Sequence, residues 1–151
     1  LGLYKGVVWE KNPKLMYLGM QDQWYTFNMF DAQAWYARDI ILEKIVLPSF
    51  DEMKAHTSEW HKRETAQDDV AYAIDFQGAY TQMLIDETDY PNFDIEGVNR
   101  TFKDWKHNKK DGIMTFRDKS HASLMTGTQS PPHHTPWLEA LDDSLESYLD
   151  I

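Results

Sequence analysis

Met20-Gln21-Asp22-Gln23-Trp24-Tyr25-Thr26-Phe27-Asn28-Met29-Phe30-Asp31 is the stretch whose reading decides the fold of this chain. Ahead of it the apolar run Leu15-Met16-Tyr17-Leu18 reads as a short buried strand. Behind it Phe30, Ala34, Ala37, Ile41 and Ile45 recur at three- and four-residue spacing, the period of a helix that buries one stripe. Polar and aromatic groups therefore collect where a strand ends and a helix begins. In open α/β sheets ligands sit there, at the carboxyl ends of strands and against helix N-termini, whose first amides have no partner inside the helix. Function is expected in this stretch.

Working outward, Leu3 to Trp9 carries Val7 and Val8 and reads as a strand, with Asn12-Pro13 as the turn into the strand at Leu15 to Leu18. Downstream, the helix that begins at Phe27 is expected to run about four to five turns and to end at Pro48. Ser49-Phe50-Asp51-Glu52 has the capping-box form, the Ser oxygen and the Glu side chain each satisfying an orphan amide, so a second helix starts there and carries Met53 and Trp60. Asp68-Asp69 opens a third helix with Phe76, Tyr80, Met83 and Leu84 along one side, stopping near Asp89-Tyr90-Pro91. A fourth follows Asp94, with Val98, Phe102 and Trp105 as its stripe and Gly112 as its stop. Ile113 to Phe116 reads as a short strand, and Thr126 to Thr135 as an irregular loop able to wrap over a neighbour. Thr135-Pro136 starts a fifth helix, its Leu138, Leu141, Leu145 and Leu149 opposite Glu139, Asp142, Asp143 and Glu146. The expected class is α+β, two short N-terminal strands followed by about five helices.

Composition narrows the function classes. A chain of 151 residues, 42% of them hydrophobic, can bury about 68–70% of its unfolded surface if it folds as one unit. A formal charge of -10 argues against nucleic acid, because a phosphate-binding surface needs clustered Lys and Arg, and Lys106, Lys109 and Lys110 are too few. No apolar run approaches the roughly 20 residues that span a bilayer, and no signal peptide is recognisable, so a soluble protein without a membrane partner is expected. The absence of cysteine excludes disulfides and fits a reducing cytoplasm. Six Trp are many for an acidic chain of this length, enough for some to line a site as well as fill a core. The chain starts at Leu1 and not at Met, which suggests a piece of something longer.

Several chemistries have no candidate. His56 and His61 are spaced to point to different faces of a helix, and the adjacent His133 and His134 diverge, so no metal site is expected. No Gly-x-Ser-x-Gly and no Ser-His-Asp arrangement of recognisable spacing appears. Asp142-Asp143 lies on the wet face of its helix, which leaves acid and base work of the glycosidase type unsupported. The seven Gly are scattered and build no phosphate-cradling turn. What remains is Asp22-Gln23-Trp24-Tyr25-Thr26 and the lone Trp105. Gln and Thr can hydrogen-bond the edge of a flat heterocycle, and Trp offers its face to a cation for about 0.5–2 kcal/mol, which suits an organic amine near a ring cofactor. The same residues suit a purely structural role, with Trp24 and Tyr25 closing a core and Asp22 capping the helix.

Four segments carry a resemblance: Tyr4-Lys5-Gly6-Val7-Val8-Trp9-Glu10, Gly19-Met20-Gln21-Asp22-Gln23-Trp24-Tyr25, Asn28-Met29-Phe30-Asp31-Ala32-Gln33-Ala34-Trp35 and His133-His134-Thr135-Pro136-Trp137. They resemble the C-terminal third of bacterial flavin-containing monooxygenases, and the likeness covers essentially the whole chain. It implies a two-dinucleotide-binding-domain α/β flavoprotein whose glycine-rich fingerprints lie upstream. Residues 1–46 would be the C-terminal part of the FAD-binding domain, and 47–151 a helical extension completing the active site and offering a dimer surface.

The activity implied is N-oxygenation of trimethylamine, or of related amines or sulfides, by FAD, NADPH and O2 in the cytoplasm. In the family a C4a-hydroperoxyflavin forms, retained NADP+ protects it, and the amine lone pair attacks its distal oxygen. No protein nucleophile is required, in keeping with the absence of one; the protein orients the reactants and excludes water. Carried over by residue, Trp24 and Trp105 resemble two walls of an aromatic box around the amine, the third lying outside this chain. Gln23, Tyr25 and Thr26 resemble cofactor contacts, and Asp22 a catalytic polar residue beside nicotinamide and flavin. The resemblance further implies a homodimer, and a chain inactive without its N-terminal portion. A noncatalytic helical module for docking or dimerisation is the alternative.

Overall fold

In the computed structural model of the chain, which describes residues 2–66, 69–124 and 126–129, the segment expected as one strand, Leu3 to Trp9, is folded back on itself. Strand β1 (Leu3–Tyr4) pairs antiparallel with β2 (Val8–Trp9), Leu3 opposite Trp9 and Tyr4 opposite Val8. Of the three residues between them, Lys5 (φ 48°) and Gly6 (φ 67°) take the positive φ that a tight hairpin turn favours, and the Gly6 and Val7 amides donate back to Leu3 O and Tyr4 O, both at 3.0 Å. Gly6 has a second reason to be glycine: a Cβ there would run into the side chains of Gln21 and Tyr80.

The expected strand at Leu15 to Leu18 shrinks to one bridge, Met16 against Val8. Trp9 N–H donates to Leu15 O at 3.0 Å and Tyr17 N–H to Val7 O at 2.8 Å, so the limb lies beside β2 without extending the sheet. Val7 and Val8 are both fully buried within this chain.

Helix α1 (Phe27–Ile41) begins where expected and ends early. Glu43 turns to φ 58°, and the Lys44 and Ile45 amides both donate to Asp39 O, at 2.8 and 3.1 Å. That carbonyl halts the helix well ahead of Pro48. The buried stripe is also rotated from the expected one: Met29, Ala32, Gln33, Tyr36 and Ala37 face inward, while Ile41 is 70% exposed. The apolar count misplaced the stripe because a glutamine lies at its centre.

Helix α2 (Phe50–Thr65) starts with the expected capping box, Ser49 and Glu52 bonding reciprocally, and buries Met53. Helix α3 (Val70–Ile85) is N-capped by Asp69, whose Oδ1 accepts from Tyr72 N–H at 2.7 Å. It buries Ile74, Gln77, Gly78, Tyr80, Thr81, Leu84 and Ile85. α1 packs on α3, and α2 packs on both α3 and β1. Helix α4 (Ile95–Asp111) opens with Asp94 Oδ1 accepting from Gly97 N–H at 2.9 Å. Its last turn carries Lys109 and Lys110, favourably placed against the helix dipole.

The chain divides into two compact units, Leu1–Asn99 and Arg100–Ile151. In the second, Phe116 is buried and meets Trp105 edge to face at 5.3 Å. The strand expected at Ile113 to Phe116 is instead a turn running into a 3-10 helix, Phe116–Asp118. Thr115 and Phe116 N–H both bond back to Gly112 O, so the backbone keeps coiling after Gly112. Among the described residues there are four α-helices; the fifth, expected from Thr135, lies outside them. No helix among the described residues is long and apolar enough to cross a membrane.

Candidate functional site

The stretch from Gly19 to Thr26 has no regular secondary structure, yet long-range side-chain bonds hold it. At its start Gly19 takes φ 75°, and its N–H donates to Gln33 Oε1 at 2.7 Å. Gln33, fully buried in α1, also donates through Nε2 to Gln21 Oε1 and to the Tyr80 hydroxyl at 2.8 Å. Gln21 Nε2 donates to Gly6 O at 2.9 Å, and the Tyr80 hydroxyl to Lys5 O at the same distance. At the other end Trp24 N–H donates to Gln77 Oε1 at 2.6 Å.

Each expected site residue now has a place. Asp22 is exposed, and its Oδ1 accepts from Gln23 N–H at 3.0 Å. It does not cap α1, whose N-cap position is Thr26, without a side-chain cap bond. Gln23 is exposed, its Nε2 donating to Gly19 O at 3.2 Å. Trp24 is half-buried, and so is Thr26, whose strained φ of 37° makes the corner into α1. Tyr25 points inward: its ring is buried, lies 6.4 Å from that of Phe93, and its hydroxyl donates to Asn99 Oδ1 at 2.6 Å and approaches Ile95 O at 3.1 Å. Burial and the nearby carboxylates of Asp75 and Asp94 push its phenol well above the ordinary range. Asp22, Gln23 and Trp24 thus share one turn. Trp105 belongs to the second unit, half-buried, with the Lys109 ammonium 5.3 Å from its ring centroid.

A cleft of about 560 Å³ opens beside the turn. Of the expected residues only Asp22 lines it, together with Lys5, Glu10, His56, Trp60 and Tyr80. Lys5 is buried, ion-paired to Glu87 and placed over the Tyr36 ring; burial holds its pKa below the ordinary lysine value. The His56 ring sits between Tyr4, at 5.0 Å, and Trp60, at 5.9 Å. Burial and the charge of Lys5 hold its imidazole below the usual range. Its Nδ1 and Glu10 Oε1 are buried without a hydrogen-bond partner among the described residues. No group of three or more ligating side chains converges on a metal position there.

The residues that sequence reading missed are Gln33 and Gln77. Their only signal was a place on the inward helix faces, which also bury Asp39 in α1 and Thr81 in α3; a buried amide must find partners, but spacing does not say which.

Comparison with known proteins places this geometry. No family model matches the chain. It is similar over nearly its whole length to part of a class of bacterial monooxygenases. The particular relatives are trimethylamine monooxygenases: that of Roseovarius sp. (strain 217) is 56% identical over 147 residues, and that of Roseovarius nubinhibens 57% identical over 148, each match covering 97% of this chain. The crystal structure of Tmm from Pelagibacter sp. strain HTCC7211 superposes with a TM-score of 0.88 at 50% identity, covering 96% of this chain. The chain spans about one third of the length of each of these relatives, 33% in all three. The resemblance read from the four sequence segments is therefore borne out across the chain.

Proposed function

We propose that this chain is the C-terminal part of an FAD- and NADPH-dependent monooxygenase and supplies the amine-facing wall of its site, the substrate being trimethylamine and the product its N-oxide. The observation that carries the reading is the match to trimethylamine monooxygenases over 97% of the chain. The residues fit a flavin in one respect: the turn offers exposed Asp22 and Gln23 and half-buried Thr26, a polar edge open to a flat heterocycle, while Trp24 beside them offers an apolar face. When bound, the reduced flavin would supply an activated oxygen derived from O2.

This chain's part is binding and orientation. Trp24 and Trp105 would bound the amine, each face contributing about 0.5–2 kcal/mol toward a methylated ammonium. Gln23 and Thr26 would face the flavin, with the main chain of Tyr25 beside them, and Asp22 would stand next to the nicotinamide. Residues 1–46 would complete the FAD-binding domain and 47–151 form the helical extension. Polypeptide that the relatives have and this chain does not cover would carry the dinucleotide fingerprints.

A docking or dimerisation piece without catalysis is the second reading. It draws on Ile41 at the end of α1 and Leu42 and Val46 after it, which are 58–87% exposed.

A hybrid separates the two. This chain would replace the matching third of the Roseovarius sp. (strain 217) enzyme, and flavin absorbance and trimethylamine N-oxide would be measured. Stoichiometric flavin with NADPH-dependent N-oxide is the expected outcome. A flavin-loaded hybrid that consumes NADPH with no N-oxide would leave the docking reading.

A further inference from the structure

We propose that Gln77 and Gln33 are positioning residues, fixing from two sides the turn that carries Asp22, Gln23 and Trp24; the inference deepens the amine-site reading and rests on it for its kinetic consequence. Neither glutamine stands among the contacts expected for amine, flavin or nicotinamide, and both act through the backbone of the turn.

The clamp points bracket the site residues. Gln33 takes the N–H of Gly19 and Gln77 takes the N–H of Trp24, so Asp22 and Gln23 lie between two fixed amides. The two glutamines come from different helices, α1 and α3, which pack directly on each other. The separation between Gly19 and Trp24 is thereby tied to a helix–helix contact as well as to the turn's own bond from Gln23 Nε2 to Gly19 O.

The sense of the network is set by main-chain groups that cannot reverse. Gly19 N–H can only donate, so Gln33 must present its oxygen there and its nitrogen to Gln21 and Tyr80. Gly6 O and Lys5 O can only accept, so Gln21 presents its nitrogen to the first and Tyr80 its hydrogen to the second. Gln21, Gln33 and Tyr80 therefore each have one orientation, and the turn inherits it.

Gln33 is fully buried and Gln77 is 4% exposed, on helices that also bury Met29, Tyr36, Ile74 and Leu84. A methionine of similar volume would occupy either place without desolvating an amide. What a methionine could not do is hold the Gly19 and Trp24 amides.

The test uses the flavin-loaded hybrid with Gln77→Met and Gln77→Glu. A carboxyl group keeps the accepting oxygen for Trp24 N–H in either protonation state, so Glu is the conservative rescue. Gln77→Met is expected to raise the KM for trimethylamine about tenfold while the KM for NADPH and the rate of flavin reduction stay within about twofold, and Gln77→Glu to recover most of the loss. Hydrogen exchange supplies a readout independent of turnover: the Trp24 amide should exchange at least about tenfold faster in Gln77→Met, with the α1 amides of Met29 and Tyr36 unchanged. Unchanged Trp24 exchange, or equal rises in both KM values, would overturn the proposal. A hybrid without N-oxide formation defeats the amine reading alone, because Trp24 exchange still decides whether Gln77 positions the turn.

Discussion

Two irregular segments flank α1, and they are held in opposite ways. The turn ahead of it, from Gly19 to Thr26, is tied down, beyond its own Asp22–Gln23 and Gln23–Gly19 bonds, by side chains remote in sequence: Gln33, Gln77 and, through the Tyr25 hydroxyl, Asn99 and the Ile95 carbonyl of α4. The segment behind it, from Leu42 to Pro48, is tied down by its own neighbours. Asp39 O takes two amides there, and the Asp39 carboxylate takes Arg38 at 2.7 Å and Lys44 at 3.3 Å. Long-range bonds set a turn in a defined place relative to the rest of the unit, as a binding site needs; local bonds only stop a helix. The second segment accordingly leaves Val46 87% exposed.

The largest effect should come from Gly6→Ala. It combines a left-handed backbone, costing about 1–2 kcal/mol, with a Cβ driven into Gln21 and Tyr80, which adds about 1–3 kcal/mol. A loss of about 3 kcal/mol in urea-monitored stability is expected; an effect below 1 kcal/mol would mean that the hairpin turn is not coupled to the network.

Next comes Gln33→Met, set against Val46→Thr. The first leaves Gly19 N–H, Gln21 and Tyr80 short of partners inside the protein and should cost about 2–3 kcal/mol. The second removes exposed apolar surface and should stay within about 0.5 kcal/mol. Equal effects would erase the distinction between the two segments.

Local devices were legible in the sequence and remote ones were not. The Ser49 to Glu52 capping box, the Asp69 cap and the Asp94 cap depend on groups within one helical turn, so spacing alone finds them. The short strands were overread because Val7 and Val8 look like one extended run, whereas Lys5 and Gly6 reverse the chain ahead of them. The end of α1 was missed because a main-chain carbonyl, invisible to any residue pattern, stops it. In the site, Asp22, Gln23 and Trp24 stood out by residue type. The glutamines that hold them did not, since their partners lie 14 and 53 residues away.

Ser49→Ala should cost about 1 kcal/mol, the ordinary value of a lost N-cap, with α2 intact by circular dichroism. A loss above 2 kcal/mol would show that α2 holds more of the unit than its single buried Met53 suggests.

The smallest effect is in pH. The His56 imidazole is held below its ordinary value by burial and by Lys5, so the unfolded chain binds its proton more readily. The stability it contributes is present above about pH 6.5 and lost as pH falls toward the depressed folded value. Asp39, held low first by its bonds to Arg38 and then by Lys44, adds a separate loss beginning below about pH 4. Unfolding midpoints should fall in two steps on acidification, and His56→Gln should remove the upper one only. A single acid transition shared by both proteins would contradict the His56 assignment.

In the proposed site the clamped turn presents Trp24 to the amine. The most direct measurement is the pair of Michaelis constants for trimethylamine and NADPH in the hybrid enzyme carrying Trp24→Ala. The account predicts a rise for trimethylamine of about tenfold or more, in line with the loss of a desolvated cation–π wall, with the NADPH constant within about twofold of the parent. Parallel increases in both constants would contradict it, marking Trp24 as a packing residue of the turn and not a wall of the site.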